Sequence, residues 1–203
     1  MSGVADRTDV RVRRGDSRRA SIRAAAVDQF LTRGYAGTSM ANIAEAAGMS
    51  RPAIYQYFTD KDDVFASSFT LVFEQHTDAA LVALRAGTTV EAALDGLLQR
   101  FEGDLWEMTA ESPHYDELVA AKRPVVATAI HAVLDRFWAA VADWLAEVSP
   151  GTRSDCQARR AGWLELLRWS PPGLRVDRPS VEHFRRRLSA LARSVAADVA
   201  GAA

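Results

Sequence analysis

The sequence predicts an all-α protein of about nine helices, and three observations carry that prediction. Apolar residues recur at three- and four-residue spacing along most of the chain, as in Val126, Ile130, Val133, Phe137, Val141, Trp144 and Val148, which is the period of a helix with a buried stripe. The stripes are separated by residues that stop or cap helices, among them Gly34, Gly48, Gly87 with Thr88, and Ser149-Pro150-Gly151. No β-rich segment alternates in the two-residue period of a strand, and there is no internal repeat or low-complexity tract.

Residues 1–16 are polar, carry Arg11, Arg13 and Arg14, and read as a flexible basic arm, either a solvated tail or a segment able to enter a minor groove. A first helix over 17–33 places Ile22, Ala26 and Phe30 on one face and stops at Gly34. Thr38 or Ser39 supplies the oxygen that caps a second helix over 40–47, with Ile43 and Ala47 inward and Gly48 free to end it in a left-handed conformation. Ser50 can cap a third helix over 51–57, and Pro52 lies in its first turn, where a missing N–H costs nothing. Ile54 and Phe58 face inward, leaving Arg51, Ala53, Gln56 and Tyr57 on other faces. Two short helices joined by a tight turn, the second presenting polar residues outward, form a helix-turn-helix suited to a major groove.

A long fourth helix starts near Asp60 and runs to about Arg85, with Val64, Ser68, Leu71 and Gln75 along one side and Asp60, Asp62 and Asp63 at its positive end. Thr88 and Glu91 have the spacing of a capping box for a helix reaching about Met108. Ser112-Pro113 opens a short helix closed by Pro124. The long apolar stripe ending at Val148 follows, then a helix over 152–169, a loop with Pro171, Pro172 and Gly173, and a last helix over 180–200.

The composition, 48% hydrophobic and 25% charged, is ordinary for a globular protein. No apolar run approaches the roughly 18 residues of a membrane span, and the N-terminus lacks the apolar core of a signal peptide. The single cysteine, Cys156, excludes an internal disulfide and fits a reducing cytoplasm. His76, His114, His131 and His183 are scattered without metal-ligand spacing, and there is no phosphate-cradling glycine loop or nucleophile elbow. No cofactor, metal site or enzymatic activity is therefore expected. The net charge of −1 hides an asymmetry: residues 1–61 hold ten Lys/Arg and six Asp/Glu, a net +4, so the rest carries −5. A basic end on an acidic remainder suits a protein that meets phosphate at one end.

From Ile22 to Phe65 the chain resembles the DNA-binding domain of the TetR family of transcriptional regulators, through AAVDQF, GYAGTSMANIAEAAGMS and AIYQYFTDKDDVF. The resemblance covers roughly the first third of the chain. It implies an all-helical homodimer with a helix-turn-helix domain over 17–61 and a helical ligand-binding and dimerisation domain over 62–203. It also implies repression of a palindromic operator, relieved by a small molecule; the alternatives are transcriptional activation and a ligand-independent architectural DNA binder.

The expected DNA-binding set is Thr38, Ser39, Ser50, Arg51, Pro52, Ala53, Tyr55, Gln56, Tyr57 and Lys61. Gln56 can pair with adenine, Arg51 can fork onto guanine, and Ala53 offers a methyl contact. Tyr57 is a second groove-facing candidate. Thr38, Ser39 and Ser50 would grip backbone oxygens, cap helices, or do both. Tyr55 and Lys61 stand where the family places a tyrosine and a lysine on phosphate; the alternative for Tyr55 is to pack its ring against the head core. Phe101, Trp106, Tyr115, His131, Trp138 and Trp163 lie in the helices that surround the family's cavity and are the candidate lining for an apolar or aromatic effector; the alternative is that the aromatics are simply core and His131 a core or surface histidine. The family pairs its two C-terminal helices across the dimer, which assigns the interface to Trp163, Leu167, Phe184, Leu188, Leu191 and Val195; the residues alone equally allow this seam to pack only within its own chain.

Overall fold

The computed structural model describes residues 3–120, 124–149 and 154–201, with side chains described for 16–120, 128–149 and 154–201. The roles read for the side chains of Arg11, Arg13, Arg14 and Val126, and for Pro150, Gly151 and Thr152, lie outside the described residues. Every regular element is helical among those described. In chain order they are α1 (Gly3–Gly37), α2 (Met40–Ala46), α3 (Arg51–Ile54), α4 (Lys61–Ala86) and α5 (Val90–Leu98). A π turn (Gln99–Gly103), α6 (Asp104–Thr109), α7 (Tyr115–Ala120), α8 (Pro124–Val148), α9 (Ser154–Leu174) and α10 (Val181–Gly201) follow. Since α5, the π turn and α6 run on without a break, the described residues form nine continuous helices.

Several boundaries differ from the sequence reading, each for a local reason. α1 begins at Gly3, so the expected arm is helical backbone continuous with the first amphipathic segment; extending an existing helix avoids the unfavourable nucleation step. α3 is regular only to Ile54. The chain then goes on through i→i−3 bonds, Gln56 N–H to Ala53 O and Tyr57 N–H to Ile54 O, tightening toward the Asp60 cap of α4. Thr89, not Thr88, caps α5 by accepting the Ala92 N–H at 3.1 Å. Pro171 and Pro172 lie inside the last turn of α9 instead of a loop. Their fixed φ suits a helix, and Pro171 is buried, so packing offsets the missing donors. Pro124, expected to close α7, is the first residue of α8, where its missing N–H is harmless.

The chain divides into two compact units: residues 1–71 with 112–129, and residues 72–111 with 130–203. The first unit is thus larger than the 17–61 segment and includes α7. Its core joins Ile22, Ala26 and Phe30 of α1 to Ile43 and Ala44 of α2, Ile54 and Phe58 around α3, and Val64 and Phe65 of α4. Phe30 and Phe65 meet edge to face with centroids 4.9 Å apart, an arrangement worth about 0.5–1.5 kcal/mol beyond area burial. In the second unit α10 packs on α5, and Phe184, Leu188, Ala192, Val195 and Val199 are buried with Leu94, Leu97 and Leu98.

The π turn explains why Phe101 and Trp106 are both buried although five residues apart. At 100° per residue an α-helix would set them far apart around its axis. The Asp104 N–H bonds instead to Gln99 O, five residues back, and the wider turn returns Trp106 to the buried side. There its indole N–H donates to Pro179 O at 3.2 Å.

Candidate nucleic-acid interface

The α2–α3 pair is held by caps that the sequence largely specifies. Ser39 is the N-cap of α2: its hydroxyl accepts the Asn42 N–H at 3.2 Å, and the Asn42 side chain accepts the Ser39 N–H at 3.0 Å. Such a capping box contributes about 0.5–2 kcal/mol. At the other end Gly48 adopts φ +65°. Its N–H bonds Glu45 O and the Met49 N–H bonds Ala44 O, the two bonds of a Schellman turn. That turn leads directly into Ser50 and α3.

On α3, Ile54 is fully buried and Phe58 nearly so, which fixes the rotation of the helix about its axis. Arg51 and Tyr55, one turn apart, and Pro52 and Gln56, also one turn apart, are all exposed on the opposite side. Ala53 and Tyr57 are half-buried at its edges. Ser50 makes no side-chain capping bond, so its exposed hydroxyl does not close the helix as the sequence suggests. The surface therefore presents a guanidinium, an amide, a phenol and hydroxyls on a short rigid element. Those groups match what base edges and phosphates require.

Two residues expected at phosphate bond the backbone of the chain itself. Thr38 is 2% exposed, and its hydroxyl donates to Gly34 O at 2.6 Å and Gln29 O at 3.1 Å; it ties the end of α1 together. The Lys61 ammonium donates to Tyr35 O at 2.8 Å and Thr38 O at 2.9 Å and lies 4.2 Å from the Tyr35 ring centre. Both residues thus act on the 34–38 turn. A short polar side chain beside a helix end can serve phosphate or backbone equally, and sequence does not distinguish them.

The same turn contains contacts that the sequence reading missed. Gly34 has φ 72° and ψ 173°, a kink that ends the straight part of α1. Beyond it the Ala36 N–H donates to Glu117 Oε1 of α7 at 2.7 Å, and the Tyr35 hydroxyl donates to Asp62. Before it, Leu31 O accepts the Ser112 hydroxyl at 2.6 Å. Nothing local in the sequence signals a bond between residues 81 positions apart.

The expected pocket residues do not form one lining. Phe101, Phe137 and Trp138 cluster with centroids 4.8–6.2 Å apart, and Phe73 joins at 6.4 Å from Phe101. Trp106 packs on Phe184 instead, and the Trp163 indole donates to Asp198 at 2.6 Å. His131 is exposed, and Tyr115 belongs to the first unit. Open grooves of about 260 and 570 Å³ border α5 and α10; they are lined by polar residues including Asp95, Ser189 and Arg193 and use none of the expected aromatics.

The residues expected at the subunit interface face inward. Trp163, Leu167, Phe184, Leu188 and Val195 are buried within their own chain, and Leu191 is half-buried. The stripe that looked like a subunit seam is the core of the second unit. Exposed apolar surface lies on another side of α9, where Leu166 is 49% and Trp169 63% exposed. Gly162 stands one turn before Leu166, with open space above it. Among the described residues no cluster of three or more potential ligands could hold a metal, and no helix is long and apolar enough to cross a membrane.

Comparison with known proteins adds to this geometry. Residues 22–67 match the sequence model of the family described as bacterial regulatory proteins, tetR family. The HTH-type transcriptional activator FasR of Mycolicibacterium smegmatis is 29% identical over 123 residues, 56% of this chain and 54% of that protein. The chain thus spans about half the length of the curated relative it matches. A TetR-family transcriptional regulator from Streptomyces coelicolor shares the fold at TM-score 0.66 and 19% identity, over 91% of this chain and 96% of that one. The fatty acid degradation regulator FadR from Bacillus halodurans does so at 0.58 and 23%, over 89% and 93%.

Proposed function

We propose that this chain, which carries the N-terminal domain of the TetR family in residues 22–67, is a DNA-binding transcriptional regulator that reads a palindromic operator as a homodimer. The observation that carries the reading is the exposed row Ser50, Arg51, Pro52, Tyr55 and Gln56, held outward by buried Ile54 and Phe58 inside the matched span. Gln56 and Arg51 read base edges; Ser39, Ser50 and Tyr55 hold phosphate; Tyr57 and Ala53 border the contact. Thr38 and Lys61 serve the same surface from behind, by fixing the turn before α2.

Dimerisation uses the exposed side of α9, centred on Leu166 and Trp169 with the open Gly162 backbone beside them. Doubling the head places two recognition helices about one DNA turn apart, roughly 34–36 Å. The effector is apolar or aromatic and binds in the second unit near Phe101, Phe137 and Trp138, an aromatic cluster that includes two expected lining residues. The protein is not an enzyme and works in the cytoplasm. Its action is repression, relieved when the effector favours a state whose recognition helices no longer match the operator spacing.

Selecting bound sequences from random duplex DNA tests the reading: an inverted repeat is expected, and recovery of no preferred sequence would refute it. Activation is the second reading, favoured by the naming of FasR as an activator. A reporter carrying the selected operator separates the two: deleting the regulator raises expression under repression and lowers it under activation.

A further inference from the structure

We propose that Glu117 is a positioning residue for the helix-turn-helix, through which α7 sets affinity for the operator. The inference rests on the DNA-binding reading above and adds a point of control to it. α7 and the turn that leads into it reach α1 on both sides of the kink at Gly34: the Ser112 hydroxyl of the turn bonds Leu31 O before it, and Glu117 Oε1 of α7 takes the Ala36 N–H after it. The second carboxylate oxygen, Oε2, lies 3.3 Å from His114 Nδ1. A Cβ on Gly34 would stand 2.1 Å from that oxygen, so the carboxylate is seated against the bare backbone of the kink.

The turn held in this way is the one that aims α2. Thr38 returns its hydroxyl to Gly34 O, Lys61 bonds Tyr35 O and Thr38 O, and the next residue, Ser39, is the cap of α2. Moving Glu117 therefore moves the start of α2, and the Schellman turn at Gly48 passes that movement to α3. Along the chain α7 is entered from α6 of the second unit, so a rearrangement there has a covalent route to the latch.

The test measures the full-length protein on two duplexes of equal length, the operator selected by the wild type and a random sequence. Far-UV circular dichroism verifies folding, and Ala36 amide exchange verifies whether its bond is broken. Glu117→Ala should bind the operator about tenfold more weakly, about 1.4 kcal/mol, and the random duplex within about twofold. Non-specific affinity rests on charge, whereas operator affinity rests on the placement of α3. Glu117→Gln keeps an oxygen for the Ala36 N–H and should restore operator affinity. If Glu117→Ala is poorly folded, Ser112→Ala breaks the other attachment and should weaken operator binding in the same selective way. Wild-type operator affinity in a variant whose Ala36 amide exchanges faster would overturn the inference while leaving the DNA-binding reading intact. An equal loss on both duplexes, or no rescue by Glu117→Gln, would also overturn it. A wild type that selects no operator would instead remove the DNA-binding reading, and the inference with it.

Discussion

Replacing Gly34 by alanine probes how much the head depends on its kinked helix. At φ 72° and ψ 173° the residue occupies a region that essentially only glycine visits, so a side chain there costs about 1–3 kcal/mol in backbone strain. The new Cβ would also stand 2.1 Å from Glu117 Oε2 and 2.8 Å from His114 Nδ1, and the carboxylate must move. Losing its bond to the Ala36 N–H removes a further 1.5–3 kcal/mol or so, the usual range for a hydrogen bond to a charged group. Gly34→Ala should therefore destabilise the protein by about 2.5–6 kcal/mol, and for a chain of this length that lowers the melting temperature by about 5–24 °C. Urea and thermal denaturation measure it. The same substitution in a Glu117→Ala background should cost less, the strain of about 1–3 kcal/mol together with displacement of the His114 ring, because the carboxylate clash and its bond are already gone. A Gly34→Ala protein as stable as wild type, or an equal cost in both backgrounds, would refute the reasoning.

Gln56→Ala should cost about 1–3 kcal/mol on the selected operator and relax one base position, read by binding to a set of single-base variants of that operator. Leu166→Asp with Trp169→Asp should give a folded monomer by light scattering that binds the operator weakly; Leu188→Asp, placing an unpaired charge at a fully buried site, should unfold the chain instead. Two hydrogen bonds from Arg187, at 2.6 and 2.7 Å, hold the Asp177 carboxyl at about 2, below its ordinary 3.8. The stabilisation from this pair is thus complete above pH 3.8 and lost as the pH falls toward 2. NMR titration should show Asp177 titrating near 2 in wild type and shifted up toward its ordinary value in Arg187→Ala.

What was legible in the sequence was local. The cap at Ser39, the left-handed Gly48, the inward Ile54 and Phe58, and the outward Arg51 and Gln56 all follow from rules acting within a few residues. The reading departs from the contacts in the structure where the deciding partner is distant or is another helix. Thr38 and Lys61 have side chains suited equally to phosphate and to helix-end carbonyls, and the carbonyls of the 34–38 turn hold them. Phe184, Leu188 and Val195 form an apolar seam that is the same whether it faces a sister subunit or α5, and burial within the chain decides. Leu166 and Trp169 stayed unnoticed because two apolar residues three apart make a weak stripe. Only their exposure gives them meaning.

The π turn at Gln99–Gly103 has a consequence for how this chain can change over generations. A helix with one such wide turn holds one residue more than an α-helix serving the same two faces. Deleting a single residue from 99–103 should therefore leave a continuous helix, with Trp106 still directed inward one ordinary turn after its predecessor. Deleting one residue from 93–98 would instead rotate Leu94 or Leu97 away from α10 with nothing to absorb the change. Tolerance to length variation is thus concentrated in five residues of an otherwise unforgiving rod. A related protein with an unbroken α-helix at this place would align with this chain only across a one-residue gap there.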